Sequence, residues 1–294
     1  MTPDDDIHAQ PDTGAQPDMS PNPATGGMVE VTDLRKVFPL GAGRELVAVD
    51  DVSFAMPAGG ALAIVGESGS GKTTVARMLA GLERPTSGRI VVNGRERAGR
   101  AGLAERRRRG RELQIVFQDP YSSLDRRQRV GAAISAVLRL HTDLSKAQAA
   151  ARTVELLDSV GLDERHAAAL PVGLSGGQRQ RVAIAIALAA NPKVLVLDES
   201  VAALDVSIQA QILNLLADIR EETGVAYVLI SHDLAVVRQV TEETIVMHRG
   251  RVVERGATAA VLTDPQEEYT QRLIACIPRP GWRPEHRAPA PAAQ

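Results

Sequence analysis

Gly66-Glu67-Ser68-Gly69-Ser70-Gly71-Lys72-Thr73 is the stretch around which the chain of 294 residues is organised. It fits the phosphate-loop pattern, two glycines with four residues between them followed by Lys and Ser or Thr. The apolar run Ala61-Leu62-Ala63-Ile64-Val65 before it predicts a buried strand, and Thr73 to Leu82 after it predicts a helix. The glycines let backbone N–H groups curl round phosphate oxygens at a helix N-terminus, where the helix dipole also favours negative charge. Lys72 adds a full positive charge, and Thr73 is left to offer its hydroxyl to Mg²⁺. Gly66, Ser68, Gly69, Ser70, Gly71, Lys72, Thr73 and Thr74 are therefore the candidate phosphate and nucleotide contacts. An ordinary Gly-rich turn is outweighed by eight matching residues with strand and helix on either side.

The length suits one large domain or two intimately joined ones, with a sizeable core. Formal net charge is −2. Asp4, Asp5, Asp6, Asp12 and Asp18 put −5 into the first 27 residues, while Arg279, Arg283, Glu285 and Arg287 put +2 into the tail from Pro278, so the body is near neutral. That body carries no general nucleic-acid signal. Residues 1–27, acidic and without an apolar run, read as a disordered leader, and residues 278–294, with five prolines, as a disordered tail. The single Cys276 excludes an intrachain disulfide and a cysteine-rich metal site, and allows a reducing, cytoplasmic setting. The longest aliphatic run, Val182 to Ala190, is about half of what a bilayer requires, so a membrane role needs a partner chain.

Along the chain, Met28–Leu34 and Leu46–Met56 alternate like strands around the Gly41-Ala42-Gly43 turn, predicting a hairpin that feeds the phosphate-loop strand. Phe38, just before that turn, suits two roles: stacking on a flat purine ring or filling a strand-end core. Arg89–Asn93 is a predicted strand. Arg106–Arg109 with Arg111 reads as a solvated helix face, because no aromatics are interleaved. The strand pattern Leu113–Phe117 then delivers Gln118 to a strand-to-loop junction, where its amide reaches either a site or a partner.

From Val130 to Leu170 the period becomes helical, with Ile134, Val137, Leu138 and later Val154, Leu156, Leu157, Val160, and Gly161 as a stop. Pro171 closes this candidate helical subdomain. Leu174-Ser175-Gly176-Gly177-Gln178 opens a helix through Ala190. Ser175 suits its N-cap, and the two glycines bare backbone N–H groups at a second anion-binding helix end. A cap alone explains Ser-Gly but does not require Gly-Gly-Gln. The apolar strand Val194–Leu197 ends in Asp198-Glu199, the expected companion of a phosphate loop: the first acid holds Mg²⁺, directly or through water, and the second orients an attacking water. Ala203-Leu204-Asp205 leads into a helix to Glu222, stopped by Gly224, and the strand Ala226–Ile230 delivers His232, which suits two roles: a structural histidine, or one placed at the strand end to reach a γ-phosphate. Thr244–Glu254 reads as a hairpin around Arg249-Gly250, and Gln266–Ile277 as a helix. No internal repeat is visible, so the chain carries one nucleotide cassette.

Leu174 to Gln178 resembles the signature of ATP-binding-cassette ATPases, and the order of phosphate loop, Gln118 loop, signature, Asp198-Glu199, Ala203-Leu204-Asp205 and His232 is similar to that family's over residues 28 to 277. The resemblance implies an α/β P-loop NTPase with a RecA-like core, an antiparallel β-subdomain and a helical subdomain inserted at about 121–190. It also implies two cassettes docked head to tail, with ATP between the phosphate loop of one and the signature of the other. On that pattern Phe38 stacks on adenine and Lys72 contacts the β- and γ-phosphates. Thr73, Gln118 and Asp198 serve Mg²⁺, Glu199 polarises the attacking water, and His232 holds the γ-phosphate. Ser175, Gly176, Gly177, Gln178 and Asp205 would contact nucleotide in the assembled pair.

A narrower resemblance, carried by Phe117 to Leu124, Asp205 to Asn214 and the ending from Pro265 to Pro278, is to the ATPase subunits of dipeptide/oligopeptide importers. It implies two membrane permease subunits, a second and different ATPase subunit, an external solute-binding protein, no nucleic acid, and a peripheral place on the cytoplasmic face of the membrane. Ser200 stands where the family usually has Pro, and Ala202 where it has Ser or Thr; both imply altered loop stiffness rather than inactivity. Cys276 alone cannot supply the iron–sulfur centre that some members carry. A soluble cassette ATPase acting on ribosomes or DNA is the alternative, opposed by the single cassette and the near-neutral body. A small-molecule P-loop kinase is disfavoured by the signature.

Overall fold

In the computed structural model, which describes residues 27–99, 101–119, 124–200 and 205–276, the apolar runs of the sequence gather into one sheet. Strands β3 (Ala61–Val65), β6 (Leu113–Val116), β7 (Val194–Asp198), β8 (Ala226–Ser231) and β9 (Glu243–His248) run parallel, and β10 (Arg251–Ala257) closes one edge antiparallel, in the order β10-β9-β3-β8-β7-β6. Alternate residues of the inner strands feed two cores. Ala61, Ala63, Val65, Leu195, Leu197, Tyr227 and Leu229 face one, and Leu62, Ile64, Val194, Val196, Val228 and Ile230 the other. A parallel sheet covered on both faces requires this, which is why its strands read as continuous apolar runs rather than as alternation.

The alternating segments belong elsewhere. Strands β1 (Val29–Gly41), β2 (Arg44–Met56), β4 (Ser87–Val92) and β5 (Arg95–Glu96) form a separate antiparallel sheet, ordered β2-β1-β4-β5. The predicted hairpin forms, but it does not join the sheet of β3. Its one-sided face of Val31, Leu34, Val52 and Phe54 packs instead on helix α1 (Lys72–Leu79), through Val75, Ala76, Met78 and Leu79. Helix α1 thus lies between the two sheets. It stops three residues short of the predicted Leu82 because Gly81 turns left-handed (φ 72°) and Leu82 N–H folds back onto Arg77 O at 2.9 Å.

The arginine-rich segment forms α2 (Leu103–Glu112), where Glu105 accepts from Arg108 at 2.6 Å and Arg109 at 2.7 Å. Those hydrogen bonds hold the Glu105 carboxyl down to about 2. The side chain of Arg97, just before α2, is 3 % exposed, donates to Leu79 O at 2.9 Å and lies 3.8 Å from Glu112. Beyond it stand α3 (Val130–His141), α4 (Lys146–Ser159), the single turn α5 (Arg165–Ala168) and α6 (Gly176–Leu188). Ile134, Leu138, Leu156, Leu157 and Val160 bury into the same core as the first sheet face. Helices α7 (Val206–Thr223), α8 (Leu234–Val240), α9 (Thr258–Thr263) and α10 (Glu268–Ala275) complete the described chain. Among the described residues no helix is long and apolar enough to cross a membrane. The leader to residue 26, Pro120 to Ser123, Val201 to Leu204 and everything from Ile277 lie outside the described residues; so do the Ala202 departure and Ala203-Leu204.

Candidate functional site

Parallel pairing brings the candidate residues to one edge. Val65 is in register with Ser231, Asp198 with Ile230, and Val116 with Leu197. The phosphate loop, Asp198-Glu199, His232 and Gln118 therefore all emerge at the C-terminal ends of adjacent strands, where open α/β sheets bind ligands. Gln118 is exposed, just past β6.

The loop is tied in shape by its own lysine. Lys72 is 4 % exposed and donates to Gly66 O at 2.8 Å, Glu67 O at 2.7 Å and Ser70 Oγ at 3.3 Å. Burial pulls its ammonium below the usual lysine range, against the opposing pull of Glu199, Asp198 and Glu67. Gly66 and Gly71 have φ of 144° and 104°, and a Cβ would overlap the carbonyl oxygens of Met247 and Ala48 respectively, so only glycine fits. Ser70 O accepts from Gly250 N at 3.0 Å.

Thr73 Oγ1 donates to Asp198 Oδ1 at 3.3 Å. Asp198 is buried, and desolvation raises its pKa, opposed by the Thr73 hydrogen bond and reinforced by Glu199. One hydroxyl and one carboxylate are hard oxygen donors of the kind that hold Mg²⁺ together with substrate phosphates, so the residues present fit that ion. Glu199 has a left-handed backbone (φ 46°), and its N–H donates to Ile230 O at 2.9 Å. Its Oε1 lies 3.4 Å from His232 Nδ1. Ser200 is buried, and its hydroxyl has no hydrogen-bond partner among the described residues.

A cavity of about 440 Å³ opens over the loop, within the range of small-molecule sites. Ser68, Gly69, Gly71, Lys72, Thr73, Thr74 and Glu199 line it together with Phe38, Leu46, Val47, Ala48 and Arg249. Of the two roles left open for Phe38, the strand-end core is not what is observed. The half-buried ring lies on the cavity wall, with Lys36 Nζ 4.7 Å from its centroid. The sequence reading missed Arg249, which it saw only as a hairpin turn.

At the second helix end, Ser175 Oγ accepts from Gln178 N at 3.3 Å and Gln178 Oε1 accepts from Ser175 N at 2.9 Å, a complete capping box. Gln178 Nε2 lies 3.2 Å from His166 Nε2, and His166 Nδ1 lies 2.9 Å from Asp163 Oδ1. Gly177 is buried, and a Cβ there would meet Ile208 Cγ2 of α7 at 2.6 Å. The cap thus does account for Gln178, and helix packing accounts for Gly177; the expectation that structure would not require them is corrected on both counts. Gly176 and Ser175 remain exposed. Asp205 occupies the N-cap of α7, exposed and without a side-chain cap.

Gly177→Ala is expected to overpack the α6–α7 contact and cost about 1–3 kcal/mol, a fall in Tm of roughly 2–12 °C for a domain of this size. Calorimetry of this variant and of its combination with Ile208→Ala checks it. An unchanged Tm, or no recovery in the double variant, would mean that the helices part freely.

Comparison with known proteins gives a consistent picture. A family model described as ABC transporter matches residues 49–202. The glutathione import ATP-binding protein GsiA of Escherichia coli (strain K12) and that of Shigella flexneri are each 46% identical over 257 residues, covering 85% of this chain and 41% of the relative. The chain thus spans about two-fifths of the length of these curated relatives. Among solved structures, the dimeric post-hydrolysis state of the ATP-binding cassette MJ0796 bound to ADP and Pi superposes with TM-score 0.72 at 30% identity, covering 79% of this chain and 99% of that one. cbiO1 from Clostridium perfringens, part of the ABC transporter complex cbiONQ, gives 0.71 at 27% identity, covering 81% and 91%. None of these names carries a ribosome or DNA role, and the soluble-cassette alternative finds no support among them.

Proposed function

Because the chain belongs to the ABC transporter family, as an ATPase cassette of P-loop NTPase fold, we propose that it hydrolyses ATP to drive import of peptides or related small solutes through two membrane permease subunits. The observation that carries the reading is one juxtaposition. Glu199 lines the same cavity as Lys72 and Thr73, and lies 3.4 Å from His232.

In the proposed reaction Phe38 stacks on adenine and the loop from Gly66 to Thr74 cradles the phosphates, with Lys72 leaving its loop carbonyls for the β- and γ-oxygens. Thr73, Asp198 and Gln118 would hold Mg²⁺, which when bound neutralises charge on those oxygens. Glu199 orients a water and takes its proton as the new O–P bond forms. The bond from the γ-phosphorus to the bridging oxygen breaks, leaving ADP and phosphate. His232, beside Glu199, holds the γ-phosphate in line. The work is positioning and electrostatic stabilisation of spread-out charge.

Ser175, Gly176, Gly177, Gln178 and Asp205 serve a nucleotide bound by a second cassette docked head to tail, so the isolated chain turns over slowly. The ATPase domain spans residues 28–277, with its helical subdomain at about 121–190 between leader and tail. A non-identical ATPase partner, an external solute-binding protein and a peripheral place on the cytoplasmic face complete the proposal. The likeness to glutathione import proteins supports a peptide-like cargo, since glutathione is itself a tripeptide.

The test is reconstitution with the membrane subunits that co-purify, followed by ATPase assays across glutathione, di- and oligopeptides, metal chelates and sugars. Stimulation of roughly tenfold or more by a peptide, with the matching binding protein present, is the expected result. Co-purification with ribosomes or nucleic acid, and no response to any solute, would overturn the proposal.

A further inference from the structure

The C-terminal part of the chain braces the phosphate loop from outside. The Cβ direction of Gly66 is closed by Met247 O of β9. Gly250 N–H, in the turn after β9, donates to Ser70 O at 3.0 Å. Tyr269, on α10, accepts at its hydroxyl from the backbone N–H of Glu67 at 3.1 Å, across 202 residues of sequence. The first two belong to the sheet and its hairpin. The third comes from a helix that packs against the outside of the loop and contributes nothing to the cavity lining.

Its position is built rather than incidental. Glu254 of β10 is buried, and its two carboxylate oxygens accept from Gln266 N at 2.9 Å and Glu267 N at 3.3 Å, fixing where α10 begins. The Tyr269 ring, 9 % exposed, rests on the His248 imidazole with centroids 3.9 Å apart and planes tilted by 34°. Burial pushes its phenol up from the usual range, so the hydroxyl keeps its proton. The two peptide units flanking Glu67 are then held from opposite sides. Lys72 Nζ draws Gly66 O and Glu67 O inward, while Tyr269 draws the Glu67 N–H outward.

We infer that Tyr269 is a positioning residue for nucleotide binding: its hydroxyl holds the Glu67 N–H away from the phosphates and keeps the first half of the loop in shape while Lys72 exchanges its carbonyl partners for phosphate oxygens. The inference rests on the ATPase reading above. A loop held this way loses little freedom when nucleotide arrives, so the contact lowers the cost of binding rather than touching the reacting atoms.

Tyr269→Phe keeps the ring on His248 and removes only the acceptor. In the full chain it is expected to raise the KM for ATP, and the Kd for ATP and ADP alike, by about three- to tenfold, the value of one net hydrogen bond, with kcat at saturating ATP within about twofold of wild type. Hydrogen exchange in the nucleotide-free chain is expected to quicken at the phosphate-loop peptide and stay unchanged in β7 and β8. A purely structural role for Tyr269 predicts a lower Tm with neither the KM shift nor the local exchange, and that result would overturn the inference. So would a Phe variant indistinguishable from wild type in all three. The exchange measurement needs no ATP, so failure of wild-type chain to bind nucleotide would sink the ATPase reading while the contact with Tyr269 was still tested.

Discussion

Glu199→Gln is expected to bind ATP with near-normal affinity and to hydrolyse it roughly 10²- to 10⁴-fold more slowly, the range lost when a positioned general base is removed. Glutamine has the shape of glutamate and keeps an amide within reach of His232, 3.4 Å from the present carboxylate, but it cannot take a proton from water. The substitution also removes a negative charge that raises the pKa of neighbouring Asp198. Asp198 is then more readily ionised, which favours the metal-bound nucleotide. Affinity and turnover should therefore separate, and an ATP-loaded cassette pair should accumulate. Phosphate release in a single turnover, with ATP binding measured on the same preparation, checks both halves. Unimpaired turnover would remove Glu199 from the role of water-activating group.

Lys72→Ala should act on the other term. Its ammonium makes three hydrogen bonds inside the loop, and two of the acceptors are backbone carbonyls that lose a charged donor when it goes. Loss of a charge-assisted contact to phosphate is worth about 1.5–3 kcal/mol, so ATP affinity should fall roughly 10- to 150-fold. The loop also loses its internal tie, so ADP should weaken with ATP. Titration calorimetry with both nucleotides measures this, and circular dichroism establishes that the fold persists. Normal affinity would count against the phosphate-loop assignment.

The sheet of this protein is legible in its sequence because burial on both faces leaves a plain trace. Ala61–Val65, Val194–Leu197 and Ala226–Ile230 are apolar but for the Tyr227 hydroxyl and are followed directly by Gly66, Asp198 and Ser231, and parallel pairing then puts those ends together. What local pattern cannot carry is which strands share a sheet. β1 and β2 read as a hairpin around the Gly41-Ala42-Gly43 turn, yet nothing within a window of ten residues says that β4 joins them in a sheet apart from β3. The same limit hid Arg97, whose partner Glu112 and acceptor Leu79 O are reached only through the fold. The arginines beside it read as solvated. Gln178 pairs with Ser175 only three residues back, a local capping box that the reading of the signature passed over; Gly177 instead looked like pure ligand chemistry because Ile208, which a Cβ there would meet, is thirty-one positions away. Tyr269 was invisible for the same reason, its partner lying at the far end of the domain.

The left-handed backbone at Glu199 sets two selective pressures against each other. A residue with a Cβ in that region gives up roughly 1–2 kcal/mol that glycine would not. Evolution toward heat tolerance alone would favour losing the side chain there, whereas the water-activating role proposed for Glu199 requires keeping it. Thermal adaptation of this cassette therefore has to proceed at other positions, leaving one conformational debt fixed at the centre of the catalytic edge.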